Sequence, residues 1–223
     1  MDKQETRARV EEVGIVPVIR AASPDEARFA AEAVQQGGIS IIEITMTVPG
    51  AIELIRELTR AMPQLLVGAG TVLDAESAGR CLDAGARFLV SPGLDLPTVA
   101  FAKKQGVLMM AGALTPTEVI TAWRAGSDLV KIFPCSQVGG ASYIKALKGP
   151  LPQIPLVPTG GVNLATAADF IRAGSAALGV GGELILKEAV KARKPEAITE
   201  TARKLVEIVR QTRVETAETS ARG

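Results

Sequence analysis

Short apolar runs alternate with amphipathic stretches along the whole chain. The apolar runs predict strands at residues 14–19, 39–44, 65–67, 87–90, 107–110, 128–132, 155–157 and 176–180. Between the first two runs, a helical i, i+3, i+4, i+7 spacing is kept by Ala27, Ala30, Ala31 and Val34. The pattern therefore predicts strand–helix units repeated from one end of the chain to the other.

Glycines mark the ends of the predicted helices. From Gly85 onward they recur every 20 to 25 residues, at Gly106, Gly126, Gly149 and Gly174. Glycine ends a helix readily because it adopts the left-handed backbone conformation without a Cβ clash. Eight evenly spaced βα units favour a closed (β/α)8 TIM barrel over an open sheet, since closure leaves no unpaired edge strand.

The length fits a single barrel, since (β/α)8 domains use about 200 to 250 residues. We therefore predict one domain over residues 1–223, with an extra polar helix at residues 3–12 before the first strand. The last helical stretch, residues 184–209, is expected to divide near Pro195. Residues 212–223 are polar without apolar periodicity, which predicts a frayed, flexible tail.

Charge and hydropathy exclude two classes of partner. Lysine and arginine total 25 against 24 acidic residues, without a block of one sign, so no nucleic-acid binding is expected. No apolar run approaches the roughly 18 residues of a membrane span, and the N-terminus is too polar for a signal peptide. With two widely separated cysteines, Cys81 and Cys135, the sequence predicts a cytoplasmic protein without membrane association.

The complete absence of histidine narrows the possible chemistry. It excludes Ser/His/Asp and Cys/His nucleophilic sites and zinc sites that depend on imidazole. Acid–base catalysis must then use carboxylates, lysine, tyrosine or bound water, and no metal site is predicted.

Two charged side chains interrupt strands that would otherwise belong to the core. Glu43 lies in the run IIEIT and Lys131 in the run LVKIF. Both come near the C-terminal ends of their strands, where the active sites of barrels are built. If the aliphatic neighbours pack against the helices, period-2 alternation directs both charges into the barrel.

A lysine in that position has a chemical use. Burial favours the neutral amine, which can condense with a ketone to form a Schiff base. The alternative is a purely structural ion pair between Lys131 and Glu43. The strand pattern alone leaves both interpretations open.

Two glycine pairs suggest an anion site. Gly160 and Gly161 follow the seventh strand, and Gly181 and Gly182 follow the eighth, each pair just before a helix. Backbone amides and helix N-termini at these positions often bind phosphate in barrels. For either loop taken alone, the alternative is that the glycines only form a tight turn between strand and helix and bind no anion.

Taken together, these motifs resemble the KDPG/KHG aldolase family, the class I aldolases for 2-keto-3-deoxy-6-phosphogluconate and 4-hydroxy-2-oxoglutarate. The resemblance runs from residue 14 to residue 182 and rests on Glu43 and on the runs GAGTV (68–72), SPG (91–93), VKIFP (130–134) and PTGGV (158–162). It implies that Lys131 is the Schiff-base lysine and that Glu43 is the general acid/base, acting through a bound water. It also implies a small keto-acid substrate, a homotrimer, and no metal or organic cofactor.

The resemblance extends to the substrate pocket. By position, the pyruvate pocket would be lined by Thr71, Pro92, Phe133 and Thr159, and the phosphate loops would be formed by Gly160, Gly161, Gly181 and Gly182. Arg20 matches an arginine found in part of the family and is a candidate clamp for a substrate anion, since a guanidinium suits carboxylate or phosphate. Its alternative role is an exposed charge at a strand end.

Two positions depart from the family pattern. Some members carry an arginine shortly after the glutamate, where this chain has Thr45-Met46-Thr47, and some carry a serine in the last glycine loop, where Glu183 follows Gly182. A carboxylate beside a phosphate is repulsive. Either Glu183 faces solvent or a phosphorylated substrate is bound less well.

The predicted reaction is cleavage of a 2-keto-4-hydroxy acid to pyruvate and an aldehyde, either glyceraldehyde 3-phosphate or glyoxylate. One alternative is a phosphate-binding isomerase, epimerase or synthase that uses Glu43 and Lys131 without a covalent intermediate. A second is a non-catalytic barrel that binds anions.

Overall fold

A computed structural model describes residues 1–221. Within that range the strands are β1 (Ile15–Ile19), β2 (Ile41–Thr45), β3 (Leu66–Gly70), β4 (Phe88–Val90), β5 (Leu108–Ala113), β6 (Leu129–Ile132), β7 (Leu156–Pro158) and β8 (Leu178–Val180). All pair in parallel in the order β7-β6-β5-β4-β3-β2-β1-β8. The strands β2 to β7 each lie beside their predecessor, and β8 pairs with β1.

The sheet curls until β7 and β8 meet. A parallel bridge joins Thr159 to Gly179, and the Ala176 amide donates to the Leu156 carbonyl at 2.9 Å. These contacts close the barrel nearly completely, which confirms the predicted (β/α)8 TIM barrel.

Helices alternate with the strands around the outside. They are α1 (Lys3–Val13), α2 (Pro24–Gln36), α3 (Ala51–Ala61), α4 (Ala75–Asp83), α5 (Leu96–Gln105), α6 (Pro116–Ala125), α7 (Ala141–Lys148), α8 (Ala167–Arg172), α9 (Lys187–Lys191) and α10 (Pro195–Ala221), with a 3-10 helix (Cys135–Val138) before α7. Five begin at side chains that accept from an amide three residues on, namely Asp2, Ser23, Asp74, Asp95 and Thr115. Such caps satisfy amides that have no partner within the helix.

The alternation of side chains along the strands divides the core into two layers. Ile41 and Leu129 belong to the cluster inside the barrel, whereas Ile42 and Val130 pack outward in the cluster shared with the helices. Neighbouring strand residues point to opposite faces. Glu43 and Lys131, two residues beyond Ile41 and Leu129, therefore face the interior near the C-terminal ends of β2 and β6.

The predicted N-terminal helix is confirmed as α1, which packs at the other end of the barrel. Its Val10 is buried in the inner cluster, and Lys3 forms an ion pair with Asp128 at 2.7 Å. Asp128 also accepts the Met109 amide at the start of β5. This end of the barrel is thus filled, and the mouth lies at the C-terminal ends of the strands.

The last helical stretch divides near Pro195 as predicted, but residues 212–221 continue α10 instead of forming the predicted frayed tail. Thr212 is only 3% exposed, and Arg213 donates to the carbonyls of Glu12 at 2.7 Å and Ala176 at 2.9 Å. These long-range contacts hold the beginning of the segment against the rest of the chain. Residues 222 and 223 lie outside the described part of the chain.

None of the helices within residues 1–221 combines the length and apolar character required to cross a lipid bilayer.

Candidate active site

Glu43 and Lys131 meet inside the mouth of the barrel. Their strands are not neighbours, yet Lys131 Nζ lies 3.9 Å from Glu43 Oε1. Both residues are buried, with exposed fractions of 2% for Glu43 and 6% for Lys131. The pairing therefore comes from barrel closure, which brings side chains from opposite sides of the sheet to one axis.

The Glu43 carboxyl group is buried without full hydrogen bonding. Its Oε1 atom has no hydrogen-bond partner among the described residues, and 3.9 Å to the Lys131 amine is too long for such a bond. Burial raises the pKa of Glu43 above its ordinary value, although the positive charges of Lys131 and Arg20 partly oppose this shift. A carboxyl group with a raised pKa exchanges protons closer to neutral pH than an exposed one.

This geometry differs from that of a structural ion pair. A buried pair stabilises a fold only when good geometry and additional hydrogen bonds offset the cost of desolvation. Here the two groups face each other across a gap, and one carboxyl oxygen is unsatisfied. The arrangement suits two groups that share a third molecule.

Phe133 borders the amine. Its ring centroid lies 5.4 Å from Lys131 Nζ, within the range of a cation–π contact. The aromatic ring also forms part of the cavity wall described below. Lys131 is thus buried between the barrel interior and the mouth.

Strand glycines make room for these groups, and sequence reasoning did not identify their role. A Cβ on Gly70 would overlap the Oε1, Cδ and Cγ atoms of Glu43, and one on Gly112 would overlap the backbone of Pro92 and Gly93. A glycine within a strand often marks a place where another group approaches the backbone closely. The glycines of these two strands were therefore the feature of the sequence from which this role could have been predicted. Gly112 pairs in register with Lys131, which places the 91–93 loop beside the lysine strand.

A cavity of about 620 Å³ opens at the mouth, within the range typical of small-molecule sites. Of the residues predicted from sequence, its wall contains Arg20, Phe133, Thr159, Gly160, Gly161, Gly181 and Gly182. The wall also contains residues that were not predicted, among them Val18, Glu26, Val162, Gly179, Ile185, Lys187, Val190 and Lys191. The loops after β1, β7 and β8 thus surround one space.

The wall does not include Glu43, Lys131, Thr71 or Pro92, although it includes Phe133, whose ring centroid lies 5.4 Å from Lys131 Nζ. Thr71 directly follows Gly70 and has a left-handed backbone with φ 57°, which is uncommon for a β-branched residue. Pro92 lies against Gly112. Both residues therefore adjoin the strands that carry Glu43 and Lys131, while the other predicted pocket residues border the cavity.

The two departures from the expected pattern have distinct surroundings. The Thr45 hydroxyl donates to the Ile19 carbonyl at 3.1 Å and lies 2.8 Å from the Thr47 hydroxyl, so this part of the mouth carries hydroxyls in place of a cation. Glu183 is exposed to solvent and also lines the cavity. Glu183 therefore faces solvent and at the same time borders the space that a substrate anion would enter.

Comparison with known proteins gives a consistent result. Residues 6–201 match the family model described as KDPG and KHG aldolase. The 2-dehydro-3-deoxy-phosphogluconate aldolase of Pseudomonas aeruginosa is 36% identical over 179 residues, covering 80% of this chain and 81% of the relative. The KHG/KDPG aldolase of Escherichia coli K12 is 32% identical over 193 residues, covering 86% of this chain and 91% of the relative.

A solved structure shares the fold. The crystal structure of KDPG aldolase from Legionella pneumophila, with pyruvate captured at low pH as a covalent carbinolamine intermediate, superimposes with a TM-score of 0.83 at 30% identity. The match covers 90% of this chain and 97% of that one.

Proposed function

Because the chain belongs to the KDPG and KHG aldolase family, we propose that it cleaves a 2-keto-4-hydroxy acid to pyruvate and an aldehyde through a Schiff base on Lys131. The substrate is 2-dehydro-3-deoxy-6-phosphogluconate, 4-hydroxy-2-oxoglutarate or both. The observation that carries the proposal is the buried Lys131 amine facing an unsatisfied Glu43 oxygen across 3.9 Å. The covalent carbinolamine in the Legionella pneumophila relative supports the same chemistry.

The first stage forms the imine. The Lys131 amine attacks the C2 carbonyl carbon, and the proton that its nitrogen loses is replaced by one taken up on the carbonyl oxygen, which gives a carbinolamine. Glu43, directly or through water, transfers the protons needed to expel that oxygen as water. The product is a protonated imine that can accept an electron pair.

The second stage breaks the C3–C4 bond. Ionised Glu43 removes the proton of the C4 hydroxyl, the C4–O bond becomes a carbonyl, and the C3–C4 electron pair moves into the imine to give an enamine. The aldehyde leaves, C3 of the enamine regains a proton, and water hydrolyses the imine. Pyruvate and the free amine are restored, so atoms and electrons balance without an external redox partner.

The reaction is tested by measuring pyruvate release with lactate dehydrogenase and NADH. Purified protein is supplied separately with 2-dehydro-3-deoxy-6-phosphogluconate and 4-hydroxy-2-oxoglutarate. We expect turnover of at least one substrate. Release from neither would contradict the proposed reaction.

Gly70→Ala is expected to lower kcat by about 100-fold, because displacement of a catalytic group from its position has effects of this size. The added methyl group would overlap the Glu43 carboxyl group and force it into another rotamer. Gly79→Ala is the matched control, since its Cβ would meet Phe101 at an ordinary 3.5 Å. Kinetics and circular dichroism on both variants check the prediction, and wild-type kcat in folded Gly70→Ala would contradict it.

We further propose that the enzyme is a cytoplasmic homotrimer. Two large exposed apolar side chains support a subunit contact, because Leu73, in the loop after β3, is 60% exposed and Leu96, at the start of α5, is 49% exposed. Light scattering should give three times the chain mass, and a monomer mass would contradict the trimer.

A further inference from the structure

Three basic side chains line the part of the cavity that β1 and α9 enclose. Arg20 comes from the end of β1, and Lys187 and Lys191 come from the two ends of α9. All three are exposed, and none of them has an ion-pair partner within 4.0 Å among residues 1–221. The cations facing the cavity are therefore available to a ligand.

The acidic side chains of the same wall offset only part of this charge. They are Glu26 and Glu183, so three basic groups face two acidic ones and the balance is +1. Glu26 is already engaged, since its Oε2 accepts the Ala22 amide at 3.0 Å. Glu183 is exposed and can turn its carboxylate to solvent. The cavity therefore favours a negatively charged group over a neutral one.

Apart from Thr159 and the glycines, the other side chains of this wall are apolar. Val18, Val162, Ile185 and Val190 line it beside the glycine loops after β7 and β8. Apolar surroundings lower the local dielectric constant, which strengthens the attraction between a lysine and an anion. Because Lys187 and Lys191 are themselves exposed, water still partly screens their contact with a bound anion.

The position of α9 is fixed by its C-terminal turn. Arg193 has a left-handed backbone with φ 56°, forms an ion pair with Asp25 of α2, and lies over the Phe29 ring at 5.2 Å. Lys187 and Lys191 consequently project from an anchored segment. This anchoring lowers the entropy lost when the two side chains bind a ligand.

We propose that Lys187 and Lys191 determine specificity by binding a terminal anionic group on the aldehyde half of the substrate, a phosphate or a carboxylate. The inference rests on the proposed function, which fixes the keto end at Lys131. The β2 loop has hydroxyls at Thr45 and Thr47 and contributes no cation to the wall. The positive charge of the wall thus comes from Lys187 and Lys191 of α9 together with Arg20.

The test uses aldol addition, the reverse reaction, so that the acceptor can be varied while pyruvate is constant. Lys187→Ala/Lys191→Ala is assayed with glyceraldehyde 3-phosphate, glyoxylate and uncharged glyceraldehyde. The matched control is Lys194→Ala/Lys204→Ala, which removes the same charge from exposed positions outside the cavity wall. Lys187→Arg/Lys191→Arg retains the charge.

We expect KM for the anionic acceptor that the unaltered enzyme uses to rise about tenfold in the alanine double variant, as two partly screened charge contacts would give. With glyceraldehyde, kcat/KM should stay within about twofold, and the arginine variant should recover most of the affinity. If KM rises only for glyceraldehyde 3-phosphate, the group that the lysines bind is a phosphate. If KM rises only for glyoxylate, that group is a carboxylate. If KM rises for both acceptors, the lysines bind either anion.

An unchanged KM, or an equal loss with glyceraldehyde and in the control, would overturn the inference. Borohydride reduction with pyruvate separates this failure from failure of the proposed reaction, because pyruvate lacks the aldehyde half. A pyruvate adduct together with an unchanged KM refutes only the role of the lysines. No adduct in the unaltered protein refutes the aldolase mechanism itself.

Discussion

Lys131→Met is expected to reduce pyruvate release by at least about 10⁴-fold, because the residue that forms the covalent intermediate has no substitute. Methionine resembles the lysine stem in length and is apolar, so it suits a position that is 6% exposed. The Glu43 carboxyl group can remain neutral beside it, since burial already raises its pKa. The variant should therefore fold and lose turnover.

Lys131→Arg separates covalent from electrostatic catalysis. Arginine keeps a positive charge opposite Glu43 but does not form an imine, so the loss should be as large as with methionine. Lys103→Met, on the exposed face of α5, is the control for removal of a lysine and should retain full activity. Substantial turnover by folded Lys131→Arg would favour a mechanism in which the lysine acts only through its charge.

Glu43→Gln should lower kcat by about 10² to 10⁴-fold, the usual contribution of a general acid/base. Glutamine keeps the shape of the side chain beside Gly70 but cannot exchange a proton. The pyruvate adduct on Lys131 should still form, although more slowly, because the nucleophile is intact. Glu32→Gln on the exposed side of α2 provides the matched control.

The same carboxyl group should determine the acid side of the pH profile. Removal of the C4 hydroxyl proton requires ionised Glu43, so the rate rises as the pH increases through the pKa of Glu43. Burial raises that pKa above its ordinary value of 4.5, which moves the acid limb to higher pH than an exposed glutamate would give. The limb should be absent from Glu43→Gln, and an unchanged limb in that variant would assign it to another group.

The barrel and the central pair were predictable because they follow from short-range patterns. Strand alternation places Ile42 and Val130 outward, and this alone directs Glu43 and Lys131 inward once the sheet closes. The evenly spaced glycines indicated the repeat that makes closure favourable. Local periodicity was sufficient for both inferences.

Other features depend on contacts between distant parts of the chain. Residues 212–221 are polar and lack an apolar repeat, yet they are helical, and Arg213 donates to the distant carbonyls of Glu12 and Ala176. Lys187 and Lys191 carry no local signal either, because their proximity to Arg20 follows from the path of the chain after β8. Sequence spacing does not contain such information when the elements involved are far apart.

Mapping of a reduced pyruvate adduct tests the central claim most directly. The protein is incubated with pyruvate, treated with sodium borohydride, digested and analysed by mass spectrometry, with Lys131→Met treated in parallel. We predict a single adduct on the peptide that contains Lys131 and none in the variant. An adduct on another lysine, or its complete absence from active protein, would contradict a mechanism in which the buried amine opposite Glu43 binds the keto acid covalently.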